Sequence, residues 1–384
     1  MHLGRAAPPA SGTAHITGLD ARLVRVPLSR PWGPDVPRVH VIATTVSLSD
    51  GTEGHGFSWT PTIGAQAVLA LLKHDIAGAA LGRTADPEAV WQPLWEYLHE
   101  AGGGGLTTIA LAGLDLALWD AAARRAGMPL TGLLGRRRES VEVYGSGVNL
   151  HYSLDELRAQ AERWVAAGFD AVKVKVGRPD LGEDVERVAA VRDILGPTRR
   201  LMIDANQRWD LDRATRAVTA LSAYAPAWVE EPLRADDLAA HAELARRIAV
   251  PVAVGENLHT EYRFADFLRA GAARIVQPNI VRVGGITPFL RIVRLAREHG
   301  AALYPHLLPE LSGQLALTLG ADGADVMVEE VEDAGFGALG VLRDPSPVRV
   351  AGGRLTETDH AGLGLRFAGP GENTPATAPH APAP

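Results

Sequence analysis

Residues 200–232 read RLMIDANQRWDLDRATRAVTALSAYAPAWVEEP. An apolar run at 200–206 ends in polar residues, a stretch of helical periodicity rich in Ala, Leu and Arg follows, and a second apolar run at 227–232 again ends in acids. This is a strand–helix–strand unit with Asp204 and Glu230 at equivalent strand ends. Outward from it the same unit recurs, placing eight strands at 141–147, 171–177, 200–206, 227–232, 251–257, 274–279, 301–306 and 325–330. Eight βα units in succession fit an α/β fold closed into a TIM-like β/α barrel, whose functional groups gather at the C-terminal ends of the strands. A doubly wound sheet is the alternative, but no G-x-G-x-x-G follows the first strand to suggest a dinucleotide site.

Upstream of residue 135 the pattern differs. Alternating stretches at 20–28 and 39–48 flank a Pro-rich segment at 29–37, and Asp50-Gly51 supplies a hairpin turn. Helical patterns follow at 64–81, 86–100 and 107–125, the last capped by Thr107 or Thr108 after the glycine run 102–105. The expected organisation is a disordered tail at 1–14, an α+β domain at 15–135, the barrel at 136–345, a further segment at 346–368, and a second disordered tail at 369–384. The tails are rich in Ala and Pro, without the periodicity a packed core needs.

Composition narrows the function. The 384 residues carry a net charge of −7, so the surface offers no general attraction to nucleic acid or anionic membranes. Absence of cysteine excludes disulfides, thiolate nucleophiles and cysteine-ligated metals. Apolar stretches such as 109–123 are interrupted by Asp115 and Asp120, which argues against a bilayer span. No apolar leader follows the first residues, and the expectation is a cytoplasmic protein.

The strand ends carry the chemistry. Starting from Lys175, the residues Asp204, Glu230, Glu256, Asn279, His306 and Glu329 follow at separations of 29, 26, 26, 23, 27 and 23, about one βα repeat each. In a barrel such residues converge on one pocket. Asp204, Glu230 and Glu256 stand on three successive strands, and three converging carboxylates repel unless a cation neutralises them. All-oxygen ligation suits Mg²⁺, with Mn²⁺ as a substitute. Any one of these acids alone could equally cap a helix or pair with an arginine. Lys173 and Lys175 share one strand face, because side chains alternate, while Val172, Val174 and Val176 face the helices. Burial, mutual repulsion and a nearby metal would each disfavour a charged lysine, leaving one able to act as a base. His306 ends the next-to-last strand, where it could give or take a proton.

These residues resemble the enolase superfamily, in its mandelate racemase and muconate lactonizing branch, and most narrowly its acid-sugar dehydratases. Residues 110–124 (ALAGLDLALWDAAAR) look like the family's first signature, and 201–232 match its second in residue type and spacing. The resemblance implies an α/β fold in which an α+β capping domain, at 15–135 with 346–368 returning to it, covers a (β/α)7β TIM-like barrel at 136–345, with Asp204, Glu230 and Glu256 as Mg²⁺ ligands and Lys175 as the base that removes a proton α to a carboxylate. It further implies that Lys173 steadies the substrate carboxylate and keeps the Lys175 pKa low, that Asn206 contacts the α-oxygen, and that Glu329 hydrogen-bonds the enediolate. Loops at 27–37, with Trp32, and at 55–63, with Trp59, stand where relatives close over substrate. A homo-oligomer, from dimer to octamer, is the family's habit.

One position departs from the pattern. Racemases of this branch pair the histidine with an aspartate on the preceding strand, and Asn279 stands there. An uncharged partner makes His306 a weaker base. Racemisation needs a base on each face, whereas elimination of water needs one base and one acid. The expectation is therefore a Mg²⁺-dependent dehydratase acting on a hydroxylated carboxylate, with a racemase, epimerase or cycloisomerase through the same enediolate as the alternative. Compensation by Glu310, or a barrel that binds metal and acid without turnover, are the remaining readings.

Overall fold

The computed structural model describes residues 13–32, 36–320 and 326–369. Most of both expected tails lies outside these residues, as do positions 33–35 of the Pro-rich segment and Asp325 at the start of the last expected strand.

The chain opens with an antiparallel meander of β1 (Ile16–Pro27), β2 (Arg38–Leu48) and β3 (Glu53–Thr60). Asp50 Oδ1 accepts the Thr52 N–H at 3.0 Å and Gly51 takes a positive φ of 85°, which together close the β2–β3 turn. Helix α1 (Ala65–Ala70) runs through a π-helical turn (Leu71–Ile76) into α2 (Ala77–Ala80). Next come α3 (Pro87–Leu98), capped by Asp86, then α4 (Leu106–Arg125) and the short α5 (Leu130–Leu134). The expected threonine cap of α4 is not formed. Gly105, at φ 66°, starts the helix, and Thr107 and Thr108 turn their hydroxyls back to the carbonyls of Gly104 and Gly105 at 3.0 and 3.1 Å.

Helix α4 is apolar on every side and long enough by composition to cross a bilayer, yet it is a core helix, buried between the meander and the barrel. Gly54 and Gly56 on β3 permit this, since a Cβ at either would lie 2.0 to 2.4 Å from the α4 backbone. The two aspartates that interrupt its apolar run make the interdomain joints. Asp120 accepts N–H groups from His55 at 2.7 Å and Leu363 at 2.6 Å, and Asp115 accepts the Thr287 N–H at 3.1 Å.

The second body alternates β4 (Ser140–Ser146), α6 (Leu154–Ala166), β5 (Ala171–Lys175), α7 (Leu181–Leu195), β6 (Arg200–Asp204), α8 (Leu211–Leu221), β7 (Val229–Glu230) and α9 (Leu238–Arg247). It continues with β8 (Val252–Val254), α10 (Glu261–Arg269), β9 (Ile275–Val276), α11 (Ile286–Glu298), β10 (Ala302–Leu303), α12 (Pro309–Thr318) and β11 (Met327–Val331). These eight strands are parallel, each pairing with the next from β4 to β10, and β11 returns to pair with β4. A buried layer takes one residue from in or beside each strand (Tyr144, Ala171, Met202, Trp228, Ala253, Ile275, Tyr304 and Met327), filling the interior as a barrel requires. Between β10 and β11 there is no ladder pairing among the described residues.

Strands β7 to β10 are shorter than the sequence suggests, at two or three residues each. Pro232 and Pro278, two residues past β7 and β9, cannot donate to a ladder, Gly255 turns at φ 148° just after β8, and Pro251 bounds β8 at its start, so these strands stay short. The last segment divides its contacts. β12 (Val348–Ala351) and β13 (Arg354–Glu357) form a hairpin whose second strand pairs antiparallel with β4, while Phe367 packs on Phe57 of β3 and the Ala368 carbonyl accepts from Arg22 at 3.1 Å.

Asp115 acts on α11 from another domain: the helix starts at Gly285, which has no side chain to cap it, and Asp115 accepts from Thr287 instead. Burial pushes the Asp115 carboxyl up to about 7. Between about pH 7 and the ordinary value of 3.8 the folded chain holds a proton that the unfolded chain lacks, so this group adds stability as pH falls through that window. Asp115→Ala should cost about 1–3 kcal/mol by leaving the Thr287 donors unpaired. In urea titrations of wild type and Asp115→Asn, which cannot titrate, the wild-type advantage should grow from pH 7 to pH 5; a constant difference would count against the buried carboxyl.

Candidate active site

Strand register sets the polar cluster at one level. Lys175 pairs with Asp204 and Asp204 with Glu230, so alternation turns all three into the barrel above the apolar layer. Lys173 lies one step deeper and is 1% exposed. Its Nζ reaches Glu230 Oε1 at 2.8 Å, Glu329 Oε1 at 2.7 Å and Asp204 Oδ2 at 3.6 Å, and lies 5.5 Å from the centre of the Tyr144 ring beneath. Lys175 Nζ pairs with Asp204 Oδ2. Glu256 stands two residues past β8, its Oε2 3.4 Å from His306 Nε2, and His306 Nδ1 lies 2.8 Å from Glu329 Oε2. Round the ring, the arc of Asp204, Glu230 and Glu256 is thus flanked by Lys175 at one end and His306 at the other.

Burial and these pairings decide the charges. Burial disfavours the Lys175 ammonium, but Asp204 holds its pKa above the ordinary lysine value. Without a cation on Asp204, the carboxylates outweigh burial and the repulsion from Lys173. Burial would also raise Glu329, yet Lys173 and His306 hold it well below the carboxylate range. His306 is pushed down by burial and more than recovered by Glu256 and Glu329, so its pKa is raised. Glu230 is pushed up to about 7, chiefly by burial.

Asn279 does not touch the imidazole in the way expected. Its Oδ1 accepts the N–H groups of Val281 and Arg282, each at 3.1 Å, closing a turn, and its Nδ2 has no partner. The charges beside His306 come from Glu256 and Glu329 instead. Glu310 is also turned away, accepting the Gly337 N–H at 2.9 Å. Asn206 is exposed at the mouth in a left-handed conformation, its N–H donating to Asp204 Oδ1 at 2.9 Å. The stretch expected as a loop at 55–63 is mostly strand β3; Trp59 is buried on it and packs on Trp32, with ring centroids 6.1 Å apart.

Other residues complete the cluster. Gln277 Nε2 donates to Glu230 Oε2 at 2.7 Å. Glu231, turned by a positive φ of 38°, is buried and accepts from Asn257 at 2.7 Å and Gln207 at 3.1 Å. Asn149, fully buried beyond β4, accepts the Lys175 N–H on Oδ1 at 3.1 Å. Glu231 was visible in the acidic pair that ends β7, although simple alternation would turn it away from the barrel. Asn149 sits in a loop that no periodicity marks.

The donor set suits a hard cation. The four carboxyl groups of Asp204, Glu230, Glu256 and Glu329 face two ammonium groups and one imidazole, so acids outnumber bases in this enclosed cluster. Ligand atoms of Glu230, Glu256 and His306 lie within 4.8 Å of one another, so the Glu256 end of the arc already converges. Asp204, Glu230 and Glu256 are the residues that would hold Mg²⁺, through oxygens alone.

Residues 34–135 match the family model of the mandelate racemase/muconate lactonizing enzyme N-terminal domain, and residues 156–370 that of the enolase C-terminal domain-like fold. The chain belongs to the mandelate racemase/muconate lactonizing enzyme family. Within the enolase superfamily it is 38% identical over 326 residues to the 3,6-anhydro-alpha-L-galactonate cycloisomerase of Streptomyces coelicolor, covering 85% of this chain and 88% of that one. To the L-talarate/galactarate dehydratase of Salmonella typhimurium it is 39% identical over 275 residues, covering 71% and 69%. A Streptomyces coelicolor racemase crystallised with bound magnesium superposes with a TM-score of 0.85 at 35% identity, over 92% of this chain and 97% of that one. The L-talarate/galactarate dehydratase bound to Mg and L-glucarate superposes at 0.84 and 33% identity, over 95% and 93%. This family member therefore has both dehydratases and cycloisomerases among its relatives.

The buried lysine gives a stability test. Lys173→Met leaves Glu230 and Glu329 without their shared counter-charge and should cost about 3–5 kcal/mol, read from urea midpoints at an unchanged m-value. A loss below about 1 kcal/mol would mean that the two acids neutralise themselves by taking up protons.

Proposed function

We propose that this protein is a Mg²⁺-dependent enzyme that removes the α-proton of a hydroxylated carboxylate, an acid sugar, and expels the β-substituent to give a 2-keto-3-deoxy acid. The single observation that carries the reading is the flanking of the carboxylate arc by Lys175 on one side and by His306, set between Glu256 and Glu329, on the other. Mg²⁺ held by Asp204, Glu230 and Glu256 would supply positive charge that favours substrate carboxylate binding and the charge that develops on it. With Asp204 engaged as a ligand, Lys175 would be freed from its pairing with that carboxylate and could accept the α-proton at Nζ. His306, backed by Glu329, then donates from Nε2 to the departing oxygen. Lys173 keeps Glu230 and Glu329 in place, and Asn149 fixes the backbone from which Lys175 projects.

The departing oxygen separates two outcomes of one chemistry. If it is a free hydroxyl, water leaves and the enzyme is a dehydratase, a lyase. If it belongs to an internal ring, the ring opens without loss of atoms and the enzyme is a cycloisomerase, the reading favoured by the similarity to the Streptomyces coelicolor cycloisomerase over most of both chains. Dehydration is our first choice, and mass spectrometry of the product distinguishes the loss of water from an unchanged mass. A cytoplasmic setting is in keeping with the lack of cysteine, and assembly into a homo-oligomer is tested by light scattering.

Chelation should abolish turnover and added Mg²⁺ restore it; full activity in metal-stripped protein would refute the metal assignment. Lys175→Ala should lower α-proton exchange in D₂O by at least ~10²-fold while the far-UV spectrum is unchanged. His306→Asn should separate the two steps, retaining exchange from the Lys175 face but losing elimination. If it instead removes exchange from the opposite α-epimer, His306 is a base and the racemase reading takes first place.

A further inference from the structure

A cavity of about 260 Å³ opens where β4 and β11 end, walled by Val148 and Val331 of the barrel and by Trp32 from the segment joining β1 to β2. Val331 is two residues beyond Glu329 and shares its inward face; it pairs with Ser146, which in turn pairs with Lys173. The cavity therefore adjoins the cluster on the side away from the three-carboxylate arc, where the far end of an extended substrate would lie.

By residue type, Arg30 and Arg163 on its walls invite a second carboxylate, but their partners cancel that invitation. Arg30 Nη2 donates to Glu156 Oε1 at 3.0 Å, and the guanidinium lies 4.0 Å from the centre of the Tyr152 ring. Arg163 holds Glu332 through Nε at 2.7 Å and Nη2 at 3.1 Å, and Gln160 Nε2 donates to the same carboxylate at 2.8 Å. Asp333 lines the wall too and, among the described residues, makes no ion pair. The cavity thus offers no uncommitted cation and one surplus carboxylate. It also offers an aromatic face and planar groups whose remaining donors and acceptors match hydroxyls.

We propose that this cavity is the subsite for the distal end of the substrate and that it takes a neutral polyhydroxy chain or ring, so that the enzyme selects mono-acids over the corresponding diacids. This rests on the α-proton chemistry proposed above. A second carboxylate placed here would lose hydration and meet like charge, which is discrimination by repulsion. The subsite is also joined to the base: Gln160 Oε1 accepts from Asn149 Nδ2 at 2.9 Å, and Asn149 Oδ1 accepts the Lys175 N–H. A distal group that disturbs Gln160 thus disturbs the placement of Lys175.

The test uses the Mg²⁺-loaded full chain with C5 and C6 aldonic acids, their 3,6-anhydro derivatives where these exist, and the aldaric acids of the same configuration. Keto-acid formation and α-proton exchange are both followed by NMR. In the configuration that reacts, the mono-acid should exceed the diacid in kcat/KM by at least ~10-fold. Glu332→Gln frees the Arg163 charge and should move that ratio toward the diacid by at least ~5-fold, mainly through KM; Asp333→Asn, at an exposed position, should move it the same way by less. A wild-type enzyme that treats the diacid as well as the mono-acid, or a ratio unmoved by both substitutions, overturns the subsite while exchange itself stands. If no acid of either series exchanges its α-proton, the enediolate reading fails and the subsite with it.

Discussion

A single ammonium group at the floor of the barrel organises what lies above it. Lys173 is shared by Glu230 and Glu329, on strands from different sides of the ring, with Asp204 near enough to feel its charge. Without it, the two acids would stand in a buried space with no shared counter-charge. With it, Glu329 stays ionised with its second oxygen beside His306, while Glu230 stands between Asp204 and Glu256 in the carboxylate arc. The stacked Trp228 and Tyr304 below, with Tyr144 edge-on to Trp228, exclude water from this level, which strengthens each of these attractions.

The precision of that cluster depends on parts far from it. Helix α4, wedged against the meander by the close approach at Gly54 and Gly56, reaches the barrel through Asp115 and the C-terminal segment through Asp120. At the same interface Trp91 of α3 donates to the Gly284 carbonyl at 2.8 Å, and Arg291 lies over the Trp91 ring. The capping domain is therefore not a free lid on a finished barrel. Its buried polar contacts complete the start of α11, a helix of the barrel itself.

The order of the site residues is legible because chemistry at strand ends must recur with the βα repeat, and Lys175, Asp204, Glu230, Glu256, His306 and Glu329 all reach one cluster. What alternation cannot convey is where a strand stops. The chain leaves the sheet directly after Asp204 and Glu230, and from there side-chain direction follows individual φ values, as at Asn206 and Glu231. Asn279 shows the same limit: its residue type suggests a partner for His306, but the turn at 280–282 claims its oxygen. Asn149 and Gln277 act through hydrogen bonds across strands, which no one-dimensional period encodes. The glycine start of α4 likewise overrides the apparent cap at Thr107, since the conformation at Gly105 already directs the entering chain.

The seam between β10 and β11, where ladder pairing is absent among the described residues, is bridged by Glu329, which accepts the Leu307 N–H at 3.1 Å on the same oxygen that faces His306. Elsewhere the circumference of the barrel is set by backbone hydrogen bonds of nearly fixed length. At this one place it is set by a carboxylate and therefore by charge. The hoop is clasped there by a charged side chain, so local closure of the barrel depends on the same carboxylate that faces His306.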